Sequence, residues 1–176
     1  MPVTVVYLVW GPLGIGPLER FLSSYQRHPA GVEHELVIAF NGVEAGAQAQ
    51  EFKRVLDGVE CRIEPLESPV LDLAAYRIVA DRVPAGAICL LNSYSQILSD
   101  DWLAKLKSNL DDSKVGMVGA SASYESISSA SPLRWRALRR RHYPAFPNPH
   151  LRVTGMMIDV ELLRQLHWPL VARKHA

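Results

Sequence analysis

Short apolar runs alternate along the chain with longer stretches in which apolar residues recur at helical spacing. Strands are predicted at 3–9, 34–40, 61–64, 87–91 and 115–119. The first run is continuous enough to be covered on both faces, and the stretches between the runs predict helices. Alternation of this kind is typical of βαβ units around a mostly parallel sheet. The pattern therefore predicts an α/β fold.

Polar residues mark where several helices are expected to begin. The Ser-Pro pair at 68–69 fits an N-cap followed by a first-turn proline. The Ser-Asp-Asp triplet at 99–101 fits a cap before an apolar helix face. Asp159 and Glu161 lie at the start of the last predicted helix, where the helix dipole favours acidic side chains. We therefore interpret these acidic residues as capping groups.

The pattern changes at residues 120–150, which are rich in serine, arginine and proline. An insertion of this length within a compact domain is usually functional or mobile. The run from Arg134 to His142 interleaves arginines with Trp135 and Leu138. Such a run most often forms a solvated helix face, with phosphate binding by guanidinium groups and contact with an anionic lipid surface as the alternatives. A strand pattern resumes at 151–158, and a helix is predicted at 160–166.

Composition excludes several classes of protein. The chain has 176 residues, 48% of them hydrophobic, which fits one globular domain. A formal charge of +1 does not fit a general nucleic-acid binder. Two cysteines are too few for a disulfide framework, and no apolar run approaches the roughly 20 residues of a membrane span. We expect a cytoplasmic protein, with peripheral attachment to the inner membrane face as an option.

The glycines at 11, 14 and 16, between the first strand and the first helix, are the first candidate for chemistry. Glycines in such a turn let a backbone approach a pyrophosphate at a helix N-terminus. The dinucleotide fingerprint, however, requires GxGxxG, and counting from Gly14 its third position is Glu19. The acidic residue expected after the second strand is Asn41. An NAD(P)-binding Rossmann-type enzyme is thus an alternative hypothesis, and a turn without a ligand is equally open.

A second candidate combines three motifs. Asp72-Leu-Ala-Ala-Tyr-Arg77 precedes the strand at 87–91, which ends in Asn92-Ser-Tyr94, and Asp-Trp-Leu-x-x-Leu follows at 101–106. This order resembles the GT-A fold of family 2-like glycosyltransferases. The resemblance implies a three-layer α/β/α domain over residues 1–176. Residues 1–119 would form its nucleotide-binding half, 120–150 a flexible acceptor-side loop and 151–176 a C-terminal strand and helix.

The resemblance also implies roles for individual residues. Those expected to contact a nucleoside-diphosphate sugar donor are Trp10 and Gly11 in the loop after the first strand, Asn41 beside the base, Asp72 and Tyr76 at the nucleoside, and Asn92, Ser93 and Tyr94 at the position of the family's metal-binding Asp-x-Asp triplet. Residues expected on the diphosphate or acceptor side are Arg77, His150, Arg152 and Thr154. The implied partners are the donor and a glycan acceptor.

The chain departs from the family pattern in two ways. Asn92 and Tyr94 supply no negative charge, whereas Mg²⁺ and Mn²⁺ prefer anionic oxygen ligands. We therefore predict no metal ligands, with Mn²⁺ or Mg²⁺ as a weaker alternative and arginines neutralising the diphosphate. The second departure is that no catalytic base is identified, since the capping interpretation accounts for Asp159 and Glu161. These departures suggest a shortened relative that lacks the part bearing the base.

The function predicted from the sequence is transfer of a sugar from a nucleoside diphosphate to a polysaccharide or surface glycan. The alternative from another class is a non-catalytic, degenerate nucleotide-sugar-binding module. Apolar surface exposed by a missing segment would also favour a homodimer.

Overall fold

The computed structural model describes residues 1–130, 132, 138–141 and 143–166. Its strands are β1 (Val3–Trp10), β2 (Glu35–Asn41), β3 (Arg62–Pro65), β4 (Ala87–Leu91), β5 (Met117–Gly119), β6 (Ala122–Ser123), β7 (His150–Leu151) and β8 (Met156–Asp159). Its helices are α1 (Gly16–Arg27), α2 (Ala47–Val55), α3 (Asp72–Ala80), α4 (Trp102–Leu110), α5 (Ile127–Ala130) and α6 (Val160–Gln165).

Six strands form one sheet in the order β3-β2-β1-β4-β8-β5, and β6 pairs with β7 in a separate ribbon. β1 pairs in parallel with both β2 and β4. β8 runs antiparallel to its neighbours β4 and β5. The predicted α/β fold with a mostly parallel sheet is therefore confirmed.

The sheet is covered on both faces because its central strands β1 and β4 are apolar at almost every position. Alternate residues of β1, such as Val5 and Tyr7, pack with α1, α2 and α4. The intervening residues, such as Val6 and Leu8, pack with α3 and α6. From Val3 to Val9 each β1 side chain is buried, as its continuous apolar run predicts.

Helix α3 begins three residues later than the Ser-Pro pair at 68–69 predicts. The Asn41 side chain pairs with the backbone of Val70: its Nδ2 donates to the Val70 carbonyl at 2.8 Å, and its Oδ1 accepts from the Val70 N–H at 3.0 Å. Leu71 is then extended, and the helix starts at Asp72. The capping prediction at 68–69 is wrong because this distant side chain holds the backbone in an extended conformation.

The Ser-Asp-Asp triplet at 99–101 does not cap α4 with a side chain either. Asp101 precedes the helix in a left-handed conformation, and its N–H donates to the Pro29 carbonyl at 2.8 Å. The Asp100 carboxylate lies 2.8 Å from Nδ1 of His28. The triplet instead attaches this loop to the end of α1. In contrast, the cap predicted at Asp159 is confirmed, since its carboxylate accepts from the Leu162 N–H at 3.0 Å.

Residues 120–155 leave the sheet after β5 and return to it at β8. This segment, called here the 120–155 segment, contains β6, α5 and β7. The part of the predicted arginine-rich helix face at 133–137, together with His142 and the end of the chain at 167–176, lies outside the described residues. None of the helices within the described ranges has the length and apolar character needed to cross a bilayer.

Candidate functional site

The order of the strands indicates where a ligand would bind. Strands β1, β2 and β3 succeed one another in one direction across the sheet, whereas β4 lies on the other side of β1. The helices change faces at the same place, since α1 and α2 cover one face and α3 the other. Such a reversal opens a crevice beyond the carboxyl ends of the two strands, where α/β proteins bind ligands. The residues directly after β1 and β4 border this crevice.

Ser93 joins the two strand ends at the crevice. Its buried hydroxyl donates to the Leu8 carbonyl at 2.7 Å and accepts from the Trp10 N–H at 2.9 Å. The Tyr7 hydroxyl in turn donates to the Ser93 carbonyl at 3.2 Å, and its ring stacks on Phe21 of α1. These bonds continue the β1–β4 pairing beyond Leu91. Ser93 therefore positions the loop after β1 and is not itself presented to a ligand.

Asn92 closes a tight turn with its own side chain. Its Oδ1 accepts from the Tyr94 N–H at 3.0 Å, its N–H donates to Oγ of Ser95 at 3.1 Å, and the Ser95 N–H donates back to the Asn92 carbonyl at 2.9 Å. The Tyr94 side chain is 74% exposed. Of the three residues at the Asp-x-Asp position, only Tyr94 projects into solvent.

These residues do not fit a divalent cation. The amide oxygen of Asn92 already accepts a backbone N–H, and neither Ser93 nor Tyr94 supplies a carboxylate. Within the described part of the chain, no three His, Cys, Asp or Glu side chains come together as a metal-ion site. Hard cations such as Mg²⁺ and Mn²⁺ require several such oxygens. No reaction step is therefore assigned to a metal at this turn.

The loops after β1 and β2 touch at two glycines. A Cβ atom on Gly11 would lie 2.0 Å from the Gly42 carbonyl oxygen. Gly42 has a positive φ and lies against the ring of Trp10. Gln48 ties the loops together, since its Nε2 donates to the Gly11 carbonyl at 3.1 Å and its Oε1 accepts from the Glu44 N–H at 2.6 Å. Close backbone contact thus accounts for Gly11 without any phosphate.

The residues expected at the nucleoside divide into buried and accessible ones. Asn41 is fully buried, with both amide atoms bonded to Val70. Tyr76 is fully buried between α3 and the sheet, and its hydroxyl has no hydrogen-bond partner among the described residues. Burial, and after it the nearby Asp72 carboxylate, raise the pKa of the Tyr76 phenol. Asp72 itself is half-buried in the first turn of α3.

The residues expected on the diphosphate or acceptor side lie on two elements. His150, Arg152 and Thr154 follow one another on the returning limb of the 120–155 segment. There, Nη2 of Arg152 lies 2.9 Å from a Glu125 carboxylate oxygen, and Nδ1 of His150 lies 2.7 Å from the Asn148 carbonyl. Arg77 lies instead on α3 and forms an ion pair with Asp81. The structure therefore groups three of these residues and places the fourth on another element.

Sequence reasoning did not identify Arg20 of α1. Together with Ser23, Arg27 and Gln96 it lines a pocket of about 370 Å³ between α1 and the chain that follows Tyr94. Burial raises the pKa of Tyr7, and the positive charge of Arg20 partly offsets this effect. Arg20 lies beside the glycine turn, since a Cβ atom on Gly16 would lie 3.4 Å from its Nη1. The sequence did contain a signal for Arg20, namely its position on the polar face of α1, four residues after Gly16.

A larger groove of about 1420 Å³ lies at the opposite end of the strands, where β1 and β2 begin. Tyr25 and His34 line it, with the Tyr25 hydroxyl 2.6 Å from Nε2 of His34. None of the predicted donor-binding residues lines this groove. Although this groove is larger, the candidate site is the crevice at the carboxyl ends of β1 and β4. Both the strand order and the positions of the expected ligand contacts indicate the crevice.

No protein-family profile matches the sequence, and neither does any curated protein sequence. Solved structures do match. The mannosyltransferase PcManGT from Pyrobaculum calidifontis superimposes with a TM-score of 0.64 and 14% identity over 94% of this chain. The 4-diphosphocytidyl-2C-methyl-D-erythritol synthase from Anaerococcus prevotii gives 0.62 and 11% over 93%. S. aureus TarS, in a structure of its residues 1–349, gives 0.57 and 12% over 93%.

This chain has a GT-A-like fold. That fold is shared by glycosyltransferases and nucleotidyltransferases, so the resemblance noted in the sequence is confirmed at the level of architecture. The match covers 46% of the PcManGT chain, 48% of the TarS chain and 73% of the synthase chain. The GT-A-like domain thus spans about half the length of the two matched proteins PcManGT and TarS. The PcManGT structure contains GDP-mannose and Mn²⁺.

Proposed function

We propose that this GT-A-like domain binds a nucleoside-diphosphate sugar in the crevice between β1 and β4. The observation that carries the proposal is the reversal of strand order at that point, in a fold shared with PcManGT, whose structure contains GDP-mannose. Trp10 and Gly11 border the crevice on one side and the Asn92–Ser95 turn on the other. Asp72 and the exposed ring of Tyr94 are the groups we assign to the nucleotide, with Asn41, Tyr76 and Ser93 shaping the walls from within.

The reaction we propose is transfer of the sugar to a polysaccharide or surface glycan. The 120–155 segment begins and ends near the carboxyl end of β4, where the crevice lies, because Met156 of β8 pairs with Leu90 of β4 and with Gly119 of β5. His150, Arg152 and Thr154 on this segment would then contact the acceptor or the diphosphate. Transfer needs a base for the acceptor hydroxyl and positive charge at the departing diphosphate. We assign no residue as the base.

Arg20 is the group we propose to balance the diphosphate charge, with no metal bound at the Asn92–Ser95 turn. The guanidinium group can donate two parallel hydrogen bonds to phosphate oxygens. Arg20 follows the loop after β1 by one helical turn, and its Nη1 lies 3.4 Å from the position that a Cβ atom on Gly16 would occupy at the start of α1. This placement supports a role beside the diphosphate.

Thermal unfolding with UDP, GDP, CDP, dTDP or NAD, each with and without Mn²⁺, tests the proposal. A ligand at a hundredfold excess over its Kd stabilises the folded state by about 2.7 kcal/mol. We expect one nucleoside diphosphate to raise Tm equally with and without Mn²⁺. A shift with NAD alone would instead support the Rossmann-type alternative. No shift with any nucleoside diphosphate would overturn the proposal.

Two matched arginine variants sharpen this test. Arg20→Gln is expected to weaken binding of the nucleoside diphosphate about tenfold or more, because a charge-assisted hydrogen bond contributes about 1.5–3 kcal/mol. Binding of the corresponding nucleoside without phosphates should not change. Arg54→Gln, at an exposed position on α2 that lines neither pocket, is the control. Equal effects of the two variants, measured by calorimetry, would exclude a specific role for Arg20.

A second candidate function is a nucleotide-sugar-binding module without turnover. The observation that favours it is the Asn92–Ser95 turn, which uses the amide oxygen internally and offers no carboxylate. Asn92→Asp with Tyr94→Asp restores two carboxylates while keeping an oxygen that accepts the Tyr94 backbone N–H. Release of sugar from the donor that becomes dependent on Mn²⁺ in this variant would favour an enzyme. No release would favour the binding module.

We also propose a cytoplasmic location. The two cysteines, Cys61 and Cys89, are free thiols, and Cys89 is buried in the core. Unpaired thiols fit a reducing compartment. Reaction with a thiol reagent in intact cells, compared before and after permeabilisation, would test this for the half-buried Cys61.

A further inference from the structure

Charge is distributed unevenly between the 120–155 segment and the rest of the molecule. The sequence of this segment holds six arginines and one acidic residue, Glu125, which gives it a net charge of +5. The whole chain has a net charge of +1, so the remaining residues together carry −4. Glu125 lies 2.9 Å from Arg152, so the net charge of +5 corresponds to the other five arginines. The segment is therefore a strongly positive region on a mildly acidic domain.

The same segment exposes large apolar side chains. Among the described residues, eleven large hydrophobic side chains are exposed, and six of them belong to this segment. They are Tyr124, Ile127, Leu138, Tyr143, Phe146 and Leu151. Tyr124 and Phe146 are each more than 60% exposed. Single exposed apolar residues are common on proteins, whereas a group of them marks an interaction surface.

Hydrogen bonds hold the two limbs of the segment side by side. The buried hydroxyls of Ser126 and Ser128 both donate to the Pro144 carbonyl, the latter at 2.8 Å. The Phe146 N–H donates to Oγ of Ser129 at 2.9 Å. The Asn148 N–H donates to the Tyr124 carbonyl, also at 2.9 Å. Side chains about twenty residues apart in sequence therefore share one surface.

The arginines adjoin this apolar surface. Residues 138–141 form a helical turn, in which the Arg141 N–H donates to the Leu138 carbonyl, and the Tyr143 N–H donates to the Arg139 carbonyl. Leu138, Arg140, Arg141 and Tyr143 are all exposed. The turn thus presents cationic and apolar side chains together.

We propose that the described part of the 120–155 segment, residues 120–130, 132, 138–141 and 143–155, forms a docking surface for an anionic lipid bilayer. Aromatic and aliphatic side chains insert at the boundary between headgroups and acyl chains, while arginines bind the lipid phosphates. The choice of occupant rests on charge complementarity combined with the exposed apolar groups. These side chains line neither the 1420 Å³ groove nor the 370 Å³ pocket. A flat partner such as a bilayer therefore suits them better than a glycan chain bound in a groove.

Docking through this surface would turn the crevice toward the membrane. The segment leaves the sheet at Gly119 and returns at Met156, at the edge where β4 ends. An acceptor anchored in the bilayer would then reach the crevice without leaving the lipid. This consequence rests on the proposed function, whereas the docking itself does not.

Sedimentation of the full chain with lipid vesicles tests the docking. We expect binding to vesicles of phosphatidylcholine and phosphatidylglycerol, little binding to phosphatidylcholine alone, and weaker binding as salt screens the charges. Arg140→Ala with Arg141→Ala should lower the partition coefficient about thirtyfold, the equivalent of about 1 kcal/mol per arginine. Lys53→Ala with Arg54→Ala removes the same charge from exposed positions on α2 and should have little effect.

A second pair of variants tests the apolar contribution. Tyr124→Ser with Leu138→Ser should reduce binding that persists at high salt, whereas Leu98→Ser, at an exposed position outside the segment, should not. No binding to anionic vesicles would overturn the proposal, as would equal effects of the segment variants and their controls. Binding to an acidic glycan but not to vesicles would assign the surface to a polyanion. A dimer that Tyr124→Ser with Leu138→Ser abolishes would assign it to a second copy.

Discussion

The crevice and the 120–155 segment use their polar side chains in opposite ways. At the crevice, Asn41, Ser93 and Asn92 bond to the protein's own backbone and complete the structure where regular pairing stops. On the segment, the Ser126 and Ser128 hydroxyls turn inward, whereas the arginine side chains at 139–141 and the ring of Tyr143 are exposed to solvent. The difference shows that residue type alone does not identify a binding group. What matters is whether its hydrogen-bonding atoms are already engaged.

The largest effect is expected when Asn41 is replaced. Asn41→Leu leaves the Val70 N–H and carbonyl without partners in a half-buried setting, and each lost partner costs about 1–3 kcal/mol. We expect a loss of about 3 kcal/mol in the free energy of unfolding, measured by urea denaturation. Asn109→Leu, at an exposed position on α4, should cost less than about 0.5 kcal/mol. Similar losses for both variants would mean that Asn41 does not hold the start of α3.

A smaller loss is expected for Ser93→Ala. The variant removes the donor to Leu8 and the acceptor for Trp10, so we expect a loss of about 2 kcal/mol. Because Ser93 positions the loop after β1, nucleotide affinity should also fall, although the hydroxyl touches no ligand. Ser108→Ala, on the outer face of α4, is the control. Unchanged affinity in Ser93→Ala, with stability reduced, would limit the residue to a purely structural role.

Alkaline pH is expected to act on the interior. Burial raises the pKa of Cys89 to about 12, and burial also raises the pKa of Tyr7 and Tyr76. The folded state keeps these protons while the unfolded chain loses them, so stability is full below about pH 9 and falls as pH rises toward 12. At pH 10 the ionisation of this thiol in the unfolded chain should by itself lower the free energy of unfolding by about 1 kcal/mol.

Cys89→Ala provides the comparison for the pH experiment. Its unfolding free energy should fall less steeply between pH 9 and 10 than that of the unchanged protein. Parallel curves for the two proteins, measured by urea denaturation at several pH values, would contradict the assignment of this slope to Cys89.

The smallest effect on stability is expected on the 120–155 segment. Arg140→Ala with Arg141→Ala should change the free energy of unfolding by less than about 0.5 kcal/mol, because exposed side chains away from the core contribute little. The same variant should show the large loss of vesicle binding described above. A stability loss comparable to that of Ser93→Ala would remove the contrast between the two regions.

The sequence predicted the fold well because its signals are local. Continuous apolar runs identified β1 and β4, and the helical spacing after Asp101 identified α4. The starts of helices were harder to predict from the sequence. The start of α3 depends on the contact between Asn41 and Val70, which are 29 residues apart. The conformation of the 99–101 triplet depends on the contact between Asp100 and His28, which are 72 residues apart. No local pattern reports such partners.

The candidate site was predicted by position more than by role. Residues at the ends of β1 and β4 do border the crevice, as the order of strands implies. Their side-chain bonds depend on atoms from distant segments, so Asn92 and Ser93 could not be recognised as internal ties. Arg20 was missed because one arginine on a polar helix face resembles any other solvated cation.

The position of β8 has a consequence for the newly made chain. β4 pairs with β8 through Ala87 and Asp159, residues separated by most of the second half of the sequence. Until the ribosome has released β8, β4 is an edge strand whose five side chains are all destined for the interior. An exposed apolar edge of this kind pairs readily with other chains. Efficient production of the protein should therefore depend on how fast synthesis proceeds between these two strands, or on a chaperone that covers β4 during that interval.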